Sequence, residues 1–224
     1  MKSKILVAGA TGRTGRLIVH KLVEGGYIPH VLVRDLPSAQ KLFEETVIYH
    51  HGDVREIESI LPAMAGIDAV ISAVGSRTPV GKNCPKHVDY EGIAHLVEAA
   101  IIHQVARFIL ISSIAVTHPT HPMNCFGKIL DWKLKGEDSL RHSGLDYTII
   151  RPGGLKDTPG GQRALILDQG DRISGSISRE DVAETCLYAL NYPQPLCATF
   201  EVIEAEGKGI PDLPHLFSAL VPAC

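Results

Sequence analysis

Ile5-Leu6-Val7-Ala8-Gly9-Ala10-Thr11-Gly12-Arg13-Thr14-Gly15-Arg16-Leu17-Ile18 decides the fold of this chain. Four apolar residues in a row, without polar alternation, predict a strand covered on both faces. Glycines then stand at positions 9, 12 and 15, and Leu17, Ile18 and Leu22 follow at helical spacing until Gly25-Gly26 closes the helix. A strand that turns through glycines straight into a helix suits a diphosphate. The glycines permit a tight turn and close backbone approach, and the helix N-terminus presents unpaired N–H groups and a positive dipole end.

The same alternation continues outward. Short apolar runs at His30–Arg34, 46–49, Asp68–Val74, Arg107–Ser112, Tyr147–Ile150 and Phe200–Ile203 predict strands. Helices are expected near Ala39–Phe43, Ile57–Met64, Tyr90–His103, Ile129–His142 and Arg179–Leu190. Apolar strands separated by helices imply an α/β, doubly wound, mostly parallel Rossmann sheet. No linker interrupts the pattern, so one domain is expected over residues 1–224. Residues 1–152 form its cofactor-binding core, and 153–224, richer in glycine and proline, form a small substrate-side extension.

Composition narrows the class. With 224 residues, 45% hydrophobic and 21% charged, the chain is long enough to bury a core without disulfides or metals. A formal charge of −3 gives no reason to expect a nucleic-acid or membrane-surface partner. The five cysteines lie at wide spacings without a CxxC pair, which implies no zinc site and fits reduced thiols. No apolar run reaches the roughly 20 residues of a membrane span. The first strand is expected so close to Met1 that no targeting segment fits before it, and a cytoplasmic location follows as the expectation.

At the end of the second strand stands Arg34, followed by Asp35. An acid there receives the adenosine ribose hydroxyls, whereas an arginine accommodates a 2′-phosphate. Arg13 in the glycine loop could approach the same phosphate, and arginine matches phosphate oxygens bidentately. NADP(H) is therefore the expected cofactor, with NAD left open by Asp35.

Several strings carry a family resemblance: Gly9-Ala10-Thr11-Gly12, Val31-Leu32-Val33-Arg34-Asp35, Gly52-Asp53-Val54, Ile111-Ser112-Ser113, and Ser143-Gly144-Leu145-Asp146-Tyr147-Thr148-Ile149-Ile150-Arg151-Pro152-Gly153. Together they resemble the atypical branch of the short-chain dehydrogenase/reductase superfamily, which includes NmrA-like and flavin/biliverdin-reductase-like proteins. The resemblance implies that Gly9, Thr11, Gly12, Arg13, Thr14 and Gly15 cradle the cofactor. It places Asp53 and Val54 beside the adenine and Ala73, Val74 and Gly75 along the dinucleotide. Pro152, Gly153 and Gly154 would approach the nicotinamide carboxamide. Ser113, with Ser112 next to it on the cofactor side, and Lys133 take the serine and lysine positions of the catalytic set.

Typical members also carry a tyrosine four residues before the lysine. Here that position is Ile129; counted from Lys135 it is Asp131. A general acid is worth ~100- to 10,000-fold, so its loss argues against ordinary carbonyl reduction. Two functions follow as expectations. One is an NADPH-dependent oxidoreductase for a small conjugated acceptor, such as a flavin, a quinone or a biliverdin-like pigment. The alternative is a non-catalytic NADP(H) redox sensor or assembly module with a protein partner. A nucleotide-sugar enzyme fits less well, because little chain follows Arg151. His118-x-x-His121 lacks carboxylate or cysteine partners and is expected to be loop surface; no metal is assigned. Tyr147 and Trp132 are expected to pack.

Overall fold

The computed structural model describes residues 3–43, 47–194, 196–207 and 209–223. In chain order, β1 (Lys4–Ala8) leads to α1 (Arg13–Glu24), then β2 (Ile28–Val33), α2 (Leu36–Gln40), β3 (Ile48–His51), α3 (Ile57–Met64) and β4 (Ala69–Ser72). A π-helical turn, Lys86–Glu91, runs into α4 (Gly92–Ile102), followed by β5 (Arg107–Ile111), α5 (Ile129–Arg141) and β6 (Asp146–Pro152). The rest holds β7 (Gly154–Lys156), β8 (Leu165–Asp168), β9 (Ser176–Ser178), α6 (Arg179–Asn191), β10 (Ala198–Glu204) and α7 (Leu213–Ser218).

The main sheet has eight strands in the order β3-β2-β1-β4-β5-β6-β10-β8. Its pairs are parallel except β10 with β8, and β7 pairs with β9 in a small separate ribbon. Successive side chains of a strand point to opposite faces, and β1 divides accordingly. Ile5 and Val7 join Ile18, Leu22, Val31, Ile109 and Phe200 on one side, under α1 and α6. Leu6 and Ala8 join Ile60, Met64, Leu96, Phe108 and Ile149 on the other, under α3, α4 and α5. Each fully buried Val, Leu, Ile, Phe or Met side chain among them contributes about 1.5–3 kcal/mol relative to exposure. The doubly wound sheet implied by the sequence is thus the fold.

The differences have local causes. Asp35 N-caps α2 by accepting from the Ser38 amide at 3.1 Å, so this helix starts earlier than the apolar pattern suggests. Thr46, the expected start of β3, lies outside the described residues. The β7–β9 ribbon, β8 and α7 are too short to leave a periodic signature. Residues beyond 152 do more than extend the substrate side: β10 adds to β6, and Phe200, Val202 and Cys186 are buried in the main core. Cys84, Cys125 and Cys186 are free thiols. Cys197 is disulfide-bonded, which corrects the expectation of reduced cysteines throughout.

Candidate dinucleotide site

The chain runs β1→β2→β3 in one direction and then crosses back to place β4 on the other side of β1. Ligands of open parallel sheets bind where the strand order reverses, outside the carboxyl ends. Gly9 follows β1 at that crevice with φ +79, and a Cβ there would lie 2.6 Å from the Ala73 carbonyl after β4. The Gly12 amide donates to the Gly9 carbonyl at 3.0 Å, closing the turn. Gly15 is buried, and a Cβ on it would meet the Gly9 oxygen at 2.2 Å. Glycine is thus required on both sides of the turn. Gly12 caps α1 without a side-chain bond, and no acidic residue occupies the first turn. The first amides of α1 keep their donors for an anion, so the loop fits the diphosphate it was expected to hold.

This loop opens on a cavity of about 780 Å³. Gly9, Thr11, Gly12, Arg13, Thr14, Arg34, Asp53, Val54, Ala73, Val74 and Gly75 all line it, so most of the predicted cofactor residues meet in one place. Its charged lining is Arg13, Arg34, Arg77 and Arg179 against Asp53 alone, inside a chain of net charge −3. Such a local excess of guanidinium suits a polyanionic ligand. Arg34 is more than half exposed; it donates to Asn83 Oδ1 at 3.0 Å and stands 4.0 Å from Asp53. Asp35, the rival acid, is not among the lining residues; both of its oxygens serve Ser38.

Asp53 is committed too. Burial pushes its carboxyl up, but hydrogen bonds from the Arg55 side chain and amide outweigh that and hold it below the usual range. It forms a turn with Arg55 ahead of α3, whose N-cap is Glu56. At the loop's other flank, Arg13 and Arg179 grip the two oxygens of Asp157 at 2.5 and 2.7 Å. Sequence reasoning missed Arg77, Asn83 and Arg179. They come from loops and a helix start far apart in the chain, and only the fold brings them together.

The remaining predicted residues sit deeper. Lys133 on α5 pairs with Asp89 of the π-helical turn at 2.8 Å, and the Asp89 side chain is fully buried. Ser112 is buried and its hydroxyl has no protein partner; with Lys133, Asp89 and Val74 it lines a second, very small cavity of about 10 Å³. Val74 also lines the large cavity, so the two adjoin. Ser113 is half-buried in the segment after β5. Ile129 packs in an apolar cluster with Ala115, Val116, Leu130 and Leu134. Pro152 ends β6; the Gly153 amide donates to the Val202 carbonyl, and a Cβ on Gly153 would meet the Gly175 oxygen at 2.6 Å. Gly153 therefore serves a close approach within the chain, whereas a Cβ on Gly154 would make only ordinary contacts, and neither lines the large cavity.

Arg151, from the longest family-like string, is a buried scaffold residue. It donates to Glu137 at 3.0 and 2.6 Å and to Glu201 at 3.3 Å. Burial pushes the Glu201 carboxyl up, against the bonds from Asp171 and Arg151. Glu201 accepts from the Asp171 amide, and Asp171 in turn accepts from the amides of Ala115 and Thr117. The network fixes the turn that carries Ser113. His118 stands 3.6 Å from Asp171, while His121 accepts from the Met123 amide. Among the described residues no group of three or more His, Cys, Asp or Glu could hold a metal, and no helix is long and apolar enough to cross a membrane.

A parallel sheet with a glycine turn at its switch point, an uncapped helix behind it and an arginine-rich cavity in front define a Rossmann-type dinucleotide-binding protein. The chain belongs to the NAD(P)H-binding family, whose model matches residues 9–193. It is 36% identical to an Arabidopsis thaliana protein described as chloroplastic, over 96% of this chain and 74% of that one. It is 32% identical to the sanguinarine reductase of Eschscholzia californica, over 97% of this chain and 96% of the reductase. A solved Bacillus halodurans structure, assigned to the NAD-dependent epimerase/dehydratases, superposes with a TM-score of 0.82 at 28% identity, covering 96% of this chain and 99% of its own. These likenesses bear out the resemblance to atypical short-chain dehydrogenase/reductases and place the chain in a reductase-like family.

Proposed function

We propose that this protein is an NADPH-dependent reductase that delivers hydride to a small conjugated acceptor such as a flavin or quinone. The observation that carries the cofactor choice is the division of labour after β2. Asp35 spends both oxygens on capping α2, and Arg34 faces the cavity. A 2′-phosphate would replace Asn83 as the partner of Arg34, with the first amides of α1 taking the diphosphate. Lys133 would hold the nicotinamide ribose beyond Val74, and Ser113 would border the acceptor. The bound nicotinamide supplies the hydride.

The acceptor class follows from what stands at position 129. An isoleucine half-buried against an apolar cluster gives no proton, so an acceptor that draws its proton from water fits this site better than a ketone or a nucleotide sugar. Phe126 and Leu155 add an apolar wall to the large cavity, suited to a flat conjugated ring. Likeness to a named reductase over nearly its whole length supports the same reading. The sensor alternative draws on the same isoleucine.

Steady-state oxidation of NADPH and NADH against a panel of flavins and quinones tests the proposal. NADPH oxidation by at least one acceptor, faster than with NADH, is expected. Tight NADPH binding without turnover by any acceptor would replace the reductase with the sensor, and no binding of either dinucleotide would overturn both.

A further inference from the structure

Lys133 lacks its usual helical neighbour, and the structure supplies a different one. The π-helical turn Lys86–Glu91 brings Asp89 inward beside α5, where its side chain is fully buried and its Oδ1 lies 2.8 Å from the Lys133 ammonium. The close packing that allows this is visible one turn further along α5. A Cβ on Gly136 would stand 2.4 Å from the Asp89 carbonyl, so only glycine lets the two elements approach. The other carboxylate oxygen accepts from the Ser76 amide at 3.0 Å, and Ser76 begins the loop that lines the large cavity after Gly75. Asp89 is thus clamped at one oxygen and offers the other to the lysine. π-Helical turns are frequent at functional sites, and a buried carboxylate is retained only where it is paired and hydrogen-bonded.

We infer that Asp89 is the positioning residue for Lys133: the buried carboxylate fixes the ammonium at the nicotinamide end of the cavity. The inference rests on the reductase reading, in which Lys133 meets the nicotinamide ribose. Asp89 touches neither cofactor nor acceptor; it acts through the lysine. It also ties that lysine to the cavity loop, since one carboxylate holds both Lys133 and the Ser76 amide.

The test compares Asp89→Asn, Lys133→Met and the double variant for binding of NADPH and of adenosine 2′,5′-bisphosphate, a fragment that lacks the nicotinamide end. Asparagine keeps an oxygen for the Ser76 amide and removes the charge that holds the lysine. Asp89→Asn should weaken NADPH about tenfold or more, the loss of one charge-assisted hydrogen bond, and leave the fragment's affinity unchanged. A merely structural aspartate would weaken both ligands alike. In the Lys133→Met background, Asp89→Asn should cost no further NADPH affinity. It should also raise the melting temperature, because it removes a buried charge left without its partner. Unchanged NADPH affinity in Asp89→Asn, or an equal loss with and without Lys133, would overturn the inference while leaving the reductase reading intact. Failure of the unsubstituted protein to bind NADPH would overturn the reductase reading and this inference with it.

Discussion

The two ends of the dinucleotide groove are built on opposite plans. At the end proposed for the adenosine, glycines and arginines face an open cavity, and Arg13 and Arg34 are more than half exposed and held by exchangeable partners, Asp157 and Asn83. At the end proposed for the nicotinamide, the candidate residues are largely buried and bonded within the chain: Lys133 to Asp89, Gly153 to the Val202 carbonyl, and Arg151 to Glu137 and Glu201. One end is shaped to accept charge from outside; the other is a pre-built scaffold with little freedom left. This difference explains why cofactor binding can be read from a short motif while the chemistry cannot.

Substitutions can break that contrast in either direction, and the largest effect belongs to the scaffold. Arg151→Met leaves Glu137 and Glu201 without their shared guanidinium, and breaking a buried pair in this way costs about 3–5 kcal/mol. Chemical denaturation should register that loss. A midpoint within error of the unsubstituted protein would mean that the network does not hold the turn after β5. At the open end, Gly9→Ala meets two penalties. Its φ of +79 disfavours a side chain by ~1–2 kcal/mol, and the overlap with Ala73 adds about 1–3 kcal/mol. Isothermal titration should find no NADPH binding in a protein that still folds; retained affinity would show that the turn is not the cradle.

A smaller effect comes from outside both ends. His30 and His50 stack across β2 and β3 with their ring nitrogens 2.8 Å apart. Burial, followed by the neighbouring His50 and Lys4, lowers His30 to about 4, and burial lowers His50 as well. The unfolded chain, with histidines near 6.5, binds more protons in the window from about 6.5 down to about 4, so stability falls as pH drops through it. Thermal midpoints measured between pH 7 and pH 5 should decline, and decline less in His30→Phe. Equal pH dependence in both proteins would exclude the pair as the cause.

Much of this was legible in the chain. Ile5–Ala8 with Gly9, Gly12 and Gly15 gave strand, turn and helix because each residue's role there is local: a buried run, a positive φ, an uncapped helix start. Arg34 could be placed at the cavity because it directly follows a strand whose carboxyl end borders that crevice. Asp89 could not. A single aspartate between Val88 and Tyr90 has no local signal, and its meaning depends on a π-helical turn and on Gly136 of another helix. Gly153 was legible as a close-approach glycine, but the partner is Gly175, which only β10 and the β7–β9 ribbon bring near, and Gly154 has room for a Cβ. Arg179 stands at the start of the expected helix, but only the fold brings it to the cavity and to Asp157.

Recognition of a 2′-phosphate by Arg34 at the open end is tested most directly by paired fluorescence titrations of NADPH and NADH on the unsubstituted protein and Arg34→Ala. Loss of one charge-assisted hydrogen bond predicts NADPH affinity reduced roughly 10- to 100-fold with NADH nearly unchanged. Equal losses for the two dinucleotides, or tighter NADH than NADPH in the unsubstituted protein, would contradict it.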